Sequence, residues 1–309
     1  MSRKLLVVFG ATGSQGGSVA NIVLDSPDLS KQYAVRAITR SASNPKAQTL
    51  LQRGAEVVEA DLDSPSSLKA ALAGAHTVFA MTNTQQGGNT VEIETRQAGA
   101  LCEELINAGA KYVIWSSLPF VRKFSNGKLK VNHFDVKGEI EQRIRALPIK
   151  SSFFVPAFFM QNFSNVMAPT PANDGTYVFA NSCTESTLMP LIDPTDTGEW
   201  VAAILAEPDK YEGKSIAAAQ GLYTWSEIAE AVSAASGKVV KFQAVPEETF
   251  KGWLPEGLRD DLLDMYSLFR DYGYYGPTMK EDIEWGVKQA KGNLTSLEEF
   301  LRREHFQLK

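Results

Sequence analysis

The chain has 309 residues, 44% apolar and 22% charged, with 23 Gly, 14 Pro and 2 Cys. This composition excludes a disordered or collagen-like polymer and a disulfide framework, and the length allows one large or two smaller domains whose core needs no staples. Thirty-one basic against 36 acidic side chains leave a net charge of −5, which argues against direct nucleic-acid binding by phosphate neutralisation.

In chain order, Met1-Ser2-Arg3-Lys4 leads into the apolar run Leu5–Phe9, too short for a signal-peptide core or a membrane span. The expectation is a cytoplasmic protein, with the nucleus open as a second location and no membrane partner. Short β-rich runs at Lys4–Phe9, Ala34–Ile38, Glu56–Glu59, Thr77–Ala80, Tyr112–Trp115 and Ser152–Val155 alternate with helical stretches. The clearest helix is Glu92–Asn107, where Ala98, Leu101, Cys102, Leu105 and Ile106 recur at helical spacing and Gly109 marks the stop. The alternation predicts an α/β fold, a doubly wound parallel sheet of order 3-2-1-4-5-6 over residues 1–155.

Residues 156–309 change rhythm and predict a smaller mixed α/β part on the substrate or partner side, ending in a helix near Ser296–Arg303. Thr187–Leu191 is a candidate for a strand returning to the main sheet. The acidic pairs Glu247-Glu248 and Asp260-Asp261 read as solvated helix faces. His76, His133 and His305 are scattered, so no metal cradle is expected.

The first strand ends in Gly10-Ala11-Thr12-Gly13-Ser14-Gln15-Gly16-Gly17, followed by a predicted helix Ser18–Leu24. Gly10 and Gly13 let the backbone turn and approach a pyrophosphate, Gly16 lets the helix pack closely, and the helix N-terminus supplies N–H donors. The spacing is G-x-x-G-x-x-G, and its strand-before, helix-after setting points to a dinucleotide. The second strand ends in Ile38-Thr39-Arg40-Ser41, where an acid would bond the 2′-hydroxyl of NAD. Arg40 stands there instead, with Ser41, Ser43 and Lys46 close behind, so the expected cofactor is NADP(H).

These residues resemble a known family. The glycine turn, Thr39-Arg40, Gly54-Ala55-Glu56-Val57-Val58-Glu59-Ala60-Asp61, Thr82-Asn83 and His133-Phe134-Asp135-Val136-Lys137-Gly138-Glu139 together resemble NmrA-like proteins, atypical members of the short-chain dehydrogenase/reductase superfamily, and among them the NADPH-sensing branch. The resemblance implies a pyrophosphate loop of Gly10, Thr12, Gly13, Ser14, Gln15 and Gly16, a 2′-phosphate clamp at Arg40 with Ser41 and Lys46, and an adenine wall of Asp61 and Leu62. It further places Thr82, Asn83 and Lys137 at the nicotinamide ribose and Phe158, Phe159 and Asn162 over the nicotinamide. Phe153 and Phe154 read as core.

Ordinary members of the superfamily reduce carbonyls with a Tyr-x-x-x-Lys helix pair and an upstream Ser. Here the pair reads His133-x-x-x-Lys137, with Ser116-Ser117 upstream. The missing Tyr leaves two expectations. One is an NADP(H)-binding redox sensor that acts through a regulatory protein partner; the other is an NADPH-dependent reductase of an apolar quinone, enone, imine or carbonyl substrate that uses Lys137, with His133 as a second candidate acid. A homodimer is open in either case. Arg122, Lys123, Lys128 and Lys130 around Ser125-Asn126-Gly127 form either a solvated turn or a surface that steers an anionic ligand or a partner.

Overall fold

The computed structural model describes residues 2–85 and 89–308. Six parallel strands, β1 (Lys4–Val8), β2 (Tyr33–Thr39), β3 (Glu56–Glu59), β4 (Thr77–Ala80), β5 (Tyr112–Ser116) and β6 (Lys150–Pro156), form one sheet in the order 3-2-1-4-5-6. A seventh strand, Ser215–Ala218, extends it beyond β6, also in parallel. The seventh strand is therefore not Thr187–Leu191. That segment, observed as Leu188–Ile192, sits in a separate three-stranded sheet between Gly221–Thr224 and Phe158–Phe159. The remaining small sheet combines Thr170–Pro171, Tyr177–Asn181 and Val240–Ala244.

The main strands are apolar on both faces because helices cover both. In β1 and the residue after it, Leu6 and Val8 enter one core cluster while Val7 and Phe9 enter the other, as the two-residue period of a strand requires. The helices Pro65–Leu72, Thr90–Asn107 and Asn132–Arg145 close the second face with Leu68, Leu72, Leu101, Val136 and Ile140. On the first face the helix Ser14–Asp25 packs against Thr197–Ala206, a helix from the later half. Their approach is so close that a Cβ on Gly198 would lie 2.8 Å from Ser18 O, and Ser18 Oγ accepts from Gly198 N at 2.8 Å. Phe153 and Phe154 are fully buried. Cys102 and Cys183 are free, buried thiols, and burial pushes Cys183 up to about 12, so neither carries the thiolate that redox chemistry needs.

Candidate functional site

At the C-terminal edge of the main sheet the chain leaves β1 through Gly10, whose φ of +63° is a left-handed conformation that favours glycine. Gly13 N then donates to Gly10 O at 2.8 Å, closing the turn. The helix starts at Ser14, four residues earlier than Ser18, so its first N–H groups lie directly behind the turn. Its first turn contains no acidic side chain, which leaves the positive end of the helix dipole uncompensated and ready for an anion. Gly16 is fixed by space: a Cβ there would sit 2.4 Å from Phe9 O and 2.5 Å from Gly10 O.

This turn forms the floor of a cleft of about 570 Å³, a size within the usual range of small-molecule sites. Gly10, Thr12, Gly13, Ser14, Gln15 and Gly16 line it, together with Arg40, Asp61, Leu62, Asn83 and Phe159. Phe9, Ile38, Thr39, Ala60, Asp63, Met81, Gln85 and Gln97 complete the wall. The strand order explains the convergence, because β2 brings Arg40, β3 leads to Asp61 and β4 leads to Met81 and Asn83, all beside β1. Arg40 is exposed and makes no hydrogen bond or ion pair with another described residue. The turn after it is held by Glu59, whose carboxylate accepts from Ala42 N at 2.6 Å. Ser41 and Lys46 lie just outside the cleft on the exposed surface, with Ser41 Oγ 2.9 Å from Ser43 Oγ.

Four other residues expected at the cofactor do not reach the cleft wall. Phe158 is 7% exposed and packs on Phe163 and Phe269, because successive strand residues point opposite ways and only Phe159 faces out. Asn162 lies in the short helix Met160–Ser164, where its carbonyl accepts from Asn165 N and Met167 N. Thr82 is buried beneath Asn83, and Lys137 is buried with it.

The three positions of the superfamily's Ser, Tyr and Lys are all engaged within the protein. Ser116 Oγ donates to Gln15 Oε1 at 2.8 Å and so anchors a cleft residue, while Ser117 Oγ turns to Lys137 O at 3.3 Å. Lys137 Nζ donates to Thr82 O at 2.9 Å, Thr82 Oγ1 at 3.3 Å and Glu94 Oε2 at 2.5 Å. An ammonium has three N–H groups, and these acceptors engage them all, so in this arrangement Lys137 has none left for a ribose or an acceptor. Burial pushes the Lys137 ammonium down, and the Glu94 carboxylate opposes that shift. Glu94 is itself fully buried and also accepts from Thr90 Oγ1 at 2.6 Å.

His133, in the first turn of the helix Asn132–Arg145, is hydrogen-bonded through Nδ1 to Asp261 Oδ2 at 2.6 Å. The other oxygen of Asp261 accepts from Asn132 N. Asp261 is thus no solvated acid: its side chain is 13% exposed, whereas that of its neighbour Asp260 is 89% exposed. Glu94 and Asp261 are the residues that sequence reasoning missed. Glu94 is an acid at a core position of an amphipathic helix, a signal that was available; Asp261 gave none. Of the basic stretch only Arg122 and Lys123 lie in a helix, Val121–Phe124, while Lys128 and Lys130 follow beyond it; Arg122 is bonded to Glu139 at 3.2 Å and its backbone N donates to Asp135.

A seven-stranded doubly wound sheet with a glycine turn under its cleft defines a Rossmann-like α/β protein. The model of the NmrA-like family matches residues 2–301, and the chain belongs to that family. An NmrA-like family domain-containing protein of Dictyostelium discoideum is 30% identical over 320 aligned positions, covering 100% of both chains. An NmrA-like family domain-containing oxidoreductase of Aspergillus flavus is 26% identical over 96% of this chain and 92% of its own. Among solved structures, NmrA, a negative transcriptional regulator in complex with NADP, superposes with a TM-score of 0.77 at 22% identity, covering 98% of this chain and 95% of its own. Triphenylmethane reductase of Citrobacter sp., complexed with NADP(H), gives a TM-score of 0.74 at 22% identity over 98% of this chain and 100% of its own. Among the described residues no helix is long and apolar enough to cross a membrane.

Proposed function

We propose that the chain binds NADP(H) and works as a reductase of a small apolar acceptor of the quinone, enone, imine or carbonyl class. One observation carries the nucleotide reading: a single cleft has an uncompensated helix N-terminus on its floor and, on its rim, the Arg40 guanidinium, which has no partner among the described residues. The first fits a pyrophosphate, and the second fits a 2′-phosphate that a planar guanidinium holds through two parallel N–H bonds. Asp61 and Leu62 would flank the adenine, and Asn83, Met81 and Phe159 would face the nicotinamide half. A bound nicotinamide would supply a hydride; Met81 and Phe159 would shield that part of the cleft from water, and Gln15, tied to Ser116, would steady the loop beneath it.

The named relatives favour the reductase over the sensor, since the relative from Aspergillus flavus is named an oxidoreductase and the Citrobacter neighbour a reductase. The sensor reading draws on the regulator NmrA, and a regulatory partner belongs to that reading alone. Calorimetry with NADP+, NADPH and NAD on the wild-type chain and on Arg40→Ala tests the nucleotide. NADP(H) binding should be tighter than NAD binding, and truncation should weaken it by roughly tenfold or more, the worth of a charge-assisted bond. Equal affinity for both nucleotides, untouched by truncation, would overturn it. NADPH absorbance over an acceptor panel tests the reaction, and absence of turnover with a steep affinity difference between NADPH and NADP+ would restore the sensor.

A further inference from the structure

Gln97 brings an amide into the cleft wall with its orientation set by a charge. It sits on the helix Thr90–Asn107, is 7% exposed and lines the cleft with Asp61, Leu62 and Asp63. Its Nε2 donates to Asp63 Oδ2 at 3.1 Å, and the preceding residue, Arg96, donates to Asp63 Oδ1 at 2.6 Å. Asp61 Oδ1 accepts from Asp63 N at 2.9 Å, closing the short turn from which Asp63 reaches the helix. The Arg96 bond, with that from Gln97, holds the Asp63 carboxyl below the ordinary carboxylate range, so Asp63 is ionised at neutral pH and only accepts. A carboxylate facing an amide decides which way the amide lies: the NH2 group meets Asp63, and Oε1 is the atom left for the cleft. Gln97 Oε1 has no hydrogen-bond partner among the described residues.

Resting on the nucleotide reading above, we infer that Gln97 selects the base of the bound nucleotide, with Oε1 accepting from an exocyclic amino group, and that Asp63 is its positioning residue. Asp61 and Leu62, the flanks assigned to the adenine, adjoin Asp63 in the chain, so the amide and the base share one end of the cleft. Adenine carries an N6 amino group that donates to Oε1. Hypoxanthine and guanine carry a carbonyl oxygen at that position, and two acceptors that face each other away from water both go unpaired. An unrestrained amide would turn over and offer Nε2 to that carbonyl. The Asp63 carboxylate opposes this, because the turned amide would set Oε1 against a carboxylate oxygen. Selectivity therefore rests on the lock behind the amide as well as on the amide itself.

Calorimetry with NADP+ and with nicotinamide hypoxanthine dinucleotide phosphate, which differ in the base alone, tests the inference. The wild-type chain should bind NADP+ more tightly by roughly tenfold or more, as a site that hydrogen-bonds one ligand and leaves its own group unpaired against another does. Gln97→Met keeps the length of the side chain and removes the amide, and should bring the two affinities together, chiefly by weakening NADP+. Asp63→Asn should narrow the gap from the other side, by tightening the hypoxanthine nucleotide once the amide is free to turn. Its side chain is 49% exposed, so this second variant spares the core and decides the matter should Gln97→Met fail to fold. Each readout is a ratio of two affinities, from which a general loss of folded protein cancels. Equal affinities in the wild type, a Gln97→Met variant that weakens both nucleotides by the same factor, or an Asp63→Asn variant with the wild-type ratio would overturn the inference. A wild-type chain that binds neither nucleotide overturns the nucleotide reading itself, and the base selection falls with it.

Discussion

The Lys137 ammonium and the Glu94 carboxylate meet at 2.5 Å behind the cleft wall, at side-chain exposures of 9% and 0%. Taking both charges out of water is costly, and their mutual attraction offsets that cost only while both are present. Removing one partner from such a pair costs about 3–5 kcal/mol, since the other is left charged and dry. Glu94→Leu and Lys137→Met should each lower stability by that order in urea unfolding, and the double variant should lose less than the two losses added. Strict additivity would show that the pair is not coupled. Gly16 gives a second prediction at this scale. Gly16→Ala places a methyl 2.4 Å from Phe9 O, so the helix must back away from the turn, at about 1–3 kcal/mol. Nucleotide affinity read by calorimetry should fall with stability; a variant that binds as the wild type does would show that the turn tolerates the shift.

Among the elements, the C-terminal helix Leu297–Arg303 is tied to the cofactor side by a polar chain. Arg303 donates to Asp193 Oδ2 at 2.5 Å, and Gln161 Nε2 donates to Asp193 Oδ1 at 3.0 Å, beside the short helix that follows Phe159. Burial pushes the Asp193 carboxyl up, but hydrogen bonds from Thr195, Arg303 and Gln161 outweigh it and hold the group below the ordinary range. The native carboxylate therefore binds its proton at lower pH than the unfolded one, whose value is about 3.9. Its contribution is fully present above about pH 4 and is lost as the pH falls through the native value. Asp193→Asn should thus cost more stability at pH 7 than at about pH 3, and a gap that stays constant across acid titration would sink the assignment. The elements themselves were legible where period and punctuation agreed. The strands of the main sheet alternate between two apolar clusters, and Ser296 caps the last helix as its position suggests. The helix start at Ser14 was obscured because glycines lower helix propensity at Gly16 and Gly17. Phe158 and Phe159 look alike in sequence, and only the pleat decides which one faces the cleft.

Over the whole molecule, what the sequence could not disclose is what joins distant segments. The glycine turn and Arg40 lie in local contexts that carry their own signal, whereas Asp261 finds His133 across 128 residues and Ser215–Ala218 finds β6 without any turn motif to announce it. The helix Thr197–Ala206 lies on the helix behind the glycine turn, and Met279–Val287 packs on the seventh strand so tightly that a Cβ on Gly286 would lie 2.1 Å from Ala217 O. Trp200 Nε1 donates to Gly286 O at 2.8 Å, linking those two helices. Segments from the later half are thus part of the packing that shapes the cleft floor, which predicts that the chain unfolds as one unit when NADP+ is bound or absent. A ligand that binds only the folded state at 100 times its Kd adds about 2.7 kcal/mol, or roughly 5 °C in Tm for a chain of this size. Scanning calorimetry should show one transition that moves upward as a whole with NADP+, and by less with NAD at the same concentration. Two transitions of which only one moves would show that the later half folds apart from the site.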